Sequence, residues 1–136
     1  MRMNRFFSVF LVLALFSSCV GLVVDPKSNN AITIFTDSLG KVTVMSTADE
    51  GKMDLVKDKA DLTQIVTNLN SVIAEKNQYD KAQPTIVMIN STINLLTAWI
   101  TQIDKGSSKK VKNYLDFRRK DIIQSFQDLL DNENKK

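Results

Sequence analysis

Between Lys81 and Asp104 the chain carries no charged side chain. Within that stretch Ile86, Ile89, Ile93, Leu96, Ile100 and Ile103 recur at alternating spacings of three and four, the seam of a helix packed against partners. Met88, Leu95 and Trp99 flank the seam, and Val87, Asn90, Asn94, Ala98 and Thr101 occupy the opposite face. A helix that avoids charge all round is expected at the centre of a fold, covered on more than one side. Asp80-Lys-Ala-Gln83 supplies its cap, Pro84 fits its first turn, and it is expected to end near Lys105. One face is too polar for a membrane span, so this helix is read as the core, with Trp99 inside it.

Its neighbours follow from cap and period. Thr47-Ala-Asp-Glu50 has the form of a capping box, opening a helix to about Gln78 with Leu55, Leu62, Ile65, Leu69 and Val72 as its apolar stripe. Gly106-Ser-Ser108 suits the end of the central helix and the cap of the next. That last helix buries Val111, Tyr114, Leu115, Ile122, Phe126, Leu129 and Leu130, with Phe117 and Ile123 beside them, and frays from Asn132 to Lys136. Short connections predict antiparallel neighbours. Upstream, Ala31–Thr36 and Lys41–Ser46 alternate apolar and polar residues around Asp37-Ser-Leu-Gly40, which predicts a β-hairpin. The expected fold is therefore mainly α: a three-helix antiparallel bundle over 47–136, preceded by a short hairpin over 31–46 that covers its open side.

The N-terminus suggests how this domain is held. Arg2 and Arg5 precede the apolar run Phe6–Phe16, and Ser17-Ser18 lead to Cys19, the one cysteine among 136 residues. This is the order of a secretory signal, with the cysteine where a lipoprotein is cut and acylated. Residues 1–18 are read as a lipoprotein signal peptide and 19–30 as a lipidated tether whose Asp25–Asn30 part is a linker. Two chains on one cysteine make a stable anchor. Cleavage by an ordinary signal peptidase near Ser18 or Gly21, or an uncleaved anchor from Phe6 to Val24, are the competing readings.

Composition narrows the chemistry. Of 18 basic residues, Arg2 and Arg5 leave with the signal, so 16 face 15 acidic ones. General polyanion binding through net charge loses support. One cysteine and no histidine exclude an intrachain disulfide, a multi-thiolate metal site and the commonest general base. No phosphate loop, carboxylate pair or nucleophile–base motif is present. Neither an enzyme nor a cofactor is expected.

The Leu-Phe-Ser-Ser-Cys box at 15–19, the Lys/Asn/Ile-rich body and the small helical domain resemble spirochaetal outer-surface lipoproteins of the Borrelia type, the small orf-D lipoprotein family among them. Arg2 to Cys19 carries the specific motif; the rest matches in texture. The resemblance implies lipid-anchored display on the outer membrane and contact with a host macromolecule. The other reading is a periplasm-facing structural or assembly lipoprotein that self-associates. Val20–Val24, apolar where such proteins often carry a polar tether, departs from the pattern.

One charge pattern opposes its own helix. Lys109, Lys110 and Lys112 stand at the start of the last helix, and Asp128, Asp131 and Glu133 at its end, both against the macrodipole. Pairing with Asp49, Glu50 and Asp54 at one end and with Lys76 and Lys81 at the other explains both clusters. The functional alternative takes Lys109, Lys110, Lys112, Arg118, Arg119 and Lys120 as a patch for sulfated glycans or anionic headgroups. The three-helix arrangement puts that patch at the tethered end, which favours headgroups. The opposite tip, Asn77 to Pro84, and the terminal Lys136 are further candidate contacts.

Overall fold

A computed structural model describes residues 24–136; the expected signal peptide over 1–18 and Cys19 lie outside the described residues. The described chain contains four α-helices and no strand: α1 (Asn29–Ser46), α2 (Leu55–Lys76), α3 (Gln83–Asp104) and α4 (Ser108–Asn134), with short 3-10 turns at Glu50–Lys52 and Asp80–Ala82. Each helix packs against its sequence neighbours, and α1 packs against α4, so the helices close a ring that runs up, down, up and down.

The expected hairpin over 31–46 is instead α1. Ala31, Phe35, Ser38, Val42 and Met45 are buried, with Ser46 beside them, and the first five are spaced by three and four as a helix face requires. The Ser28 hydroxyl caps it, accepting from the Ala31 amide at 3.1 Å. Thr36 and Thr43 donate their hydroxyls back to the carbonyls of Ile32 and Leu39, both at 2.7 Å, which removes them as solvent-seeking groups. The β-branched residues that suggest strands are weak local preferences. Burial of the Phe35–Val42 face overrides them.

The capping box at Thr47 also changes role. Thr47 ends α1, donating to the Thr43 carbonyl at 2.8 Å, and α2 begins only at Leu55, where Asp54 accepts from the Lys57 amide at 3.0 Å. The break between α3 and α4 matches the sequence reading, but α2 ends at Lys76 and no side-chain cap opens α3 over 80–83. Pro84 lies in the first turn of α3. Gly106 takes a positive φ of 73° after it, and Ser107 caps α4.

The core joins one face of every helix: Phe35 and Val42, Leu62, Leu69 and Val72, Ile89, Leu96 and Trp99, Leu115, Ile122, Phe126 and Leu129 are all fully buried. The ring geometry leaves α3 open along one side, where Val87, Asn90, Asn94 and Thr101 are exposed, so α3 is not covered all round. Phe117, expected beside the core, is 77% exposed. It stands two residues from Leu115, about 200° around the helix at 3.6 residues per turn.

A candidate functional site at two poles

Replacing a hairpin by a full-length helix reverses the molecule end for end. A hairpin returns the chain to the pole it left; α1 carries it across the bundle. The start of α1 therefore meets the ends of α2 and α4 and the start of α3, while the lysines opening α4 stand at the other pole.

At the first pole the N-terminal segment is held by buried charge. Lys76 Nζ, on the last turn of α2, donates to Asp25 Oδ1 at 2.7 Å, to the Pro26 carbonyl at 3.2 Å and to Glu133 Oε2 at 3.0 Å. Lys136 donates to Glu133 Oε2 at 2.7 Å and to Thr85 Oγ1 at 3.1 Å, and it pairs with Asp25 Oδ2 at 2.5 Å. The side chains of Lys76, Glu133 and Asp25 are 1%, 0% and 6% exposed. Two cations meet two carboxylates, so the cluster is neutral, the condition under which buried charge is tolerated. Burial pushes Asp25 up, but hydrogen bonds from Lys136 and Lys76 outweigh it and hold the carboxyl below its usual range. Burial likewise opposes the Lys76 charge, and its bonds to Asp25 and Glu133 win, raising it above the usual lysine range. Glu75 adds a second tie, accepting from Ser28 at 2.6 Å and Asn30 at 3.1 Å.

Asp25 and Ser28 are thus fastened to the bundle, not parts of a free linker. The expected fraying at Asn132–Lys136 is absent: Asn132 donates to Thr85 at 2.8 Å, and Glu133 is fully buried. The Lys76–Glu133 pairing expected from the charge pattern is present. The companion pairing of Lys109 and Lys110 with Asp49, Glu50 and Asp54 is not, since Asp49 lies 3.8 Å from Lys52 and Asp54 caps α2.

At the far pole the six expected patch residues divide between two flanks of α4. Lys112 pairs with Asp116 at 2.8 Å. Arg119 pairs with Asp116 at 3.3 Å and donates to the Ser46 carbonyl at 2.6 Å, closing the end of α1. Arg119 and Lys120 border a shallow groove with Ile123 and Gln124. Lys110 and Arg118 face the other flank, where a groove of about 650 Å³ between α3 and α4 is also lined by Lys105, Tyr114 and Phe117. Lys109 is exposed at the end of the helix.

That second groove combines charge and aromatic surface. The Arg118 guanidinium lies 5.0 Å from the Phe117 ring centroid, within cation–π range. Tyr114 anchors the floor, its hydroxyl donating to the Leu95 carbonyl at 2.7 Å. Among the described residues Lys105, Lys109 and Lys110 have no carboxylate within ion-pair distance, while Arg118 pairs with Asp121 at 3.1 Å. The end of α3 and the start of α4 both border this groove, so their opposite dipole ends largely cancel and the lysines carry the field. Lys105 and the exposed Phe117 were not anticipated; only the Phe117-Arg118 dipeptide, an aromatic inside a basic run, hints at them in sequence.

Among the described residues no three metal-ligating side chains converge. No family model matches the chain, and no curated protein or solved structure matches it.

Proposed function

We propose that this chain is a lipid-anchored binding protein of the outer membrane, tethered through acylated Cys19, whose α3–α4 groove meets an anionic host macromolecule of the sulfated-glycan class. The observation that carries this reading is the opposition of the two poles. Asp25 is locked at one pole, and six residues of chain from Cys19 reach at most about 20 Å. The anchored end therefore stays close to the bilayer. Lys110 lies at the other end of α4, and the 23 residues from it to Glu133 correspond to about 35 Å of helix. A basic groove facing away from its own membrane is poorly placed for headgroups of that membrane and well placed for a soluble or neighbouring polyanion. Sugar rings stack on Phe117 while sulfates meet Lys105 and Lys110.

Heparin affinity tests the groove. The full-length chain in detergent micelles is expected to be retained on immobilised heparin at moderate salt. Lys105→Glu with Lys110→Glu abolishes retention, and Arg119→Glu with Lys120→Glu, on the other flank, leaves most of it. Retention unchanged by the first pair contradicts the assignment. Fatty-acid labelling of wild type against Cys19→Ala tests the anchor separately.

A further inference from the structure

We propose that the groove between α1 and α2 binds a short apolar peptide with both termini free. This goes beyond the anchored binding role and does not depend on the α3–α4 groove. The α1–α2 groove measures about 580 Å³, the size of a small-molecule site. Ile34 and Met45 of α1 and Ile65 of α2 give it apolar surface, and Asp37, Ser38 and Lys41 line it from α1.

The first observation is Ser38, which is 3% exposed. Among the described residues its hydroxyl has no hydrogen-bond partner. Thr36 and Thr43, on the same helix, return theirs to the carbonyls four residues back; Ser38, deeper than either, does not. Among the described residues Trp99 Nε1 is the one unpartnered side-chain polar atom sealed from solvent. The Ser38 hydroxyl therefore keeps an opening, and it lines the groove. A buried hydroxyl without a partner is costly. A ligand carrying a peptide group offers it both a donor and an acceptor.

The rim charges are the second observation. Asp37 and Lys41 are exposed and stand four residues apart, acid first, the order that favours pairing along a helix. Lys57 with Asp61 and Lys112 with Asp116 pair at that spacing, at 2.9 and 2.8 Å. Among the described residues Asp37 and Lys41 have no ion-pair partner. Lys57 and Asp61 line the same groove already neutralised, so one free charge of each sign remains. Four residues rise about 6 Å along a helix, and a dipeptide reaches at most about 7 Å. Its ammonium meets Asp37, its carboxylate meets Lys41, and its peptide group meets Ser38. Its apolar side chains cover Met45 and Ile65. A purely anionic ligand meets Asp37 as a like charge, and a hydrocarbon buries the Ser38 hydroxyl unanswered. Gly40 also lines the groove, with nothing within 4 Å of an added Cβ, so its missing side chain serves no contact of the fold and leaves space for a ligand.

Isothermal titration of the full-length chain in detergent micelles with the dipeptide Leu-Leu tests this. Saturable one-to-one binding is expected. Acetyl-Leu-Leu-amide, which keeps the apolar groups and lacks both charges, should bind roughly tenfold more weakly. Ser38→Ala and Lys41→Gln should each weaken Leu-Leu by roughly fivefold or more. Gly40→Leu, which extends a side chain into the groove from a position with room for it, should abolish binding. Thermal melts of all three variants should be no lower than the parent's, which separates a lost site from a lost fold. Absence of Leu-Leu binding, or equal affinity for the blocked peptide, overturns the proposal.

Discussion

Lys76, at the end of α2, and Glu133, at the end of α4, are ion-paired with side chains 1% and 0% exposed. The Lys76 ammonium also holds Asp25, at 2.7 Å, so one buried cation joins the chain's entry to two helix ends.

Removing that cation should be severe. Lys76→Ala leaves Asp25 and Glu133 with Lys136 alone, and breaking a buried pair by removing one partner costs about 3–5 kcal/mol. Urea denaturation should show the loss, with Lys136→Ala costing less because Lys136 is the more exposed of the two cations.

The same cluster sets the pH limits of the fold. Asp25 is lowered in the folded state, so its contribution is present above the unfolded carboxylate pKa and fades as pH falls through the folded one. Lys76 is raised, so its contribution is complete below the ordinary lysine pKa and is lost as pH rises through the folded value. Thermal melts should be flat through neutrality and fall at both extremes, and Asp25→Asn should shrink the acid-side fall.

Asp58 behaves in the opposite sense. Burial, with Asp54 and Asp61 nearby, raises its carboxyl, so its ionised form destabilises the fold at neutral pH. Asp58→Asn is expected to raise the melting temperature at pH 7, and the gain should vanish as pH falls and wild-type Asp58 takes up its proton.

Gly40 lies in the middle of α1 with nothing within 4 Å of an added Cβ. Gly40→Ala should therefore stabilise by about 0.5–1 kcal/mol if residues 29–46 are helical. A hairpin with Gly40 in its turn would be destabilised instead. Gly106, at a positive φ of 73°, should lose stability on the same change.

Phe117→Ala is expected to leave stability within about 0.5 kcal/mol, as for an exposed surface position, while weakening heparin retention several-fold. Leu96→Ala, in the core, should instead cost about 2–5 kcal/mol.

The faces of α2, α3 and α4 were legible because apolar residues keep the helical period from Leu62 to Val72, Ile86 to Ile103 and Val111 to Leu129. Pro84 and Gly106 marked the breaks. α1 was not legible as a helix because Ile32, Thr33, Ile34, Thr43 and Val44 favour strands locally, and alternation masked the three-four spacing of Ala31, Phe35, Ser38, Val42 and Met45. The buried charge cluster at the first pole was half legible. Charge order pointed to Lys76 with Glu133, but Asp25 and Lys136 join them only across the fold. The basic patch failed as a unit because sequence adjacency says nothing about flank: Arg118 and Arg119 lie about 100° apart around α4.

The opposition of the two poles is tested most directly by energy transfer from the protein to the bilayer. The full-length chain reconstituted in vesicles, with a donor on Asn77→Cys near the Lys76–Glu133 cluster or on Lys109→Cys at the start of α4, is measured against an acceptor on the lipid headgroups. The account expects strong transfer from position 77 and weak transfer from position 109. Equal transfer, or the reverse order, contradicts it.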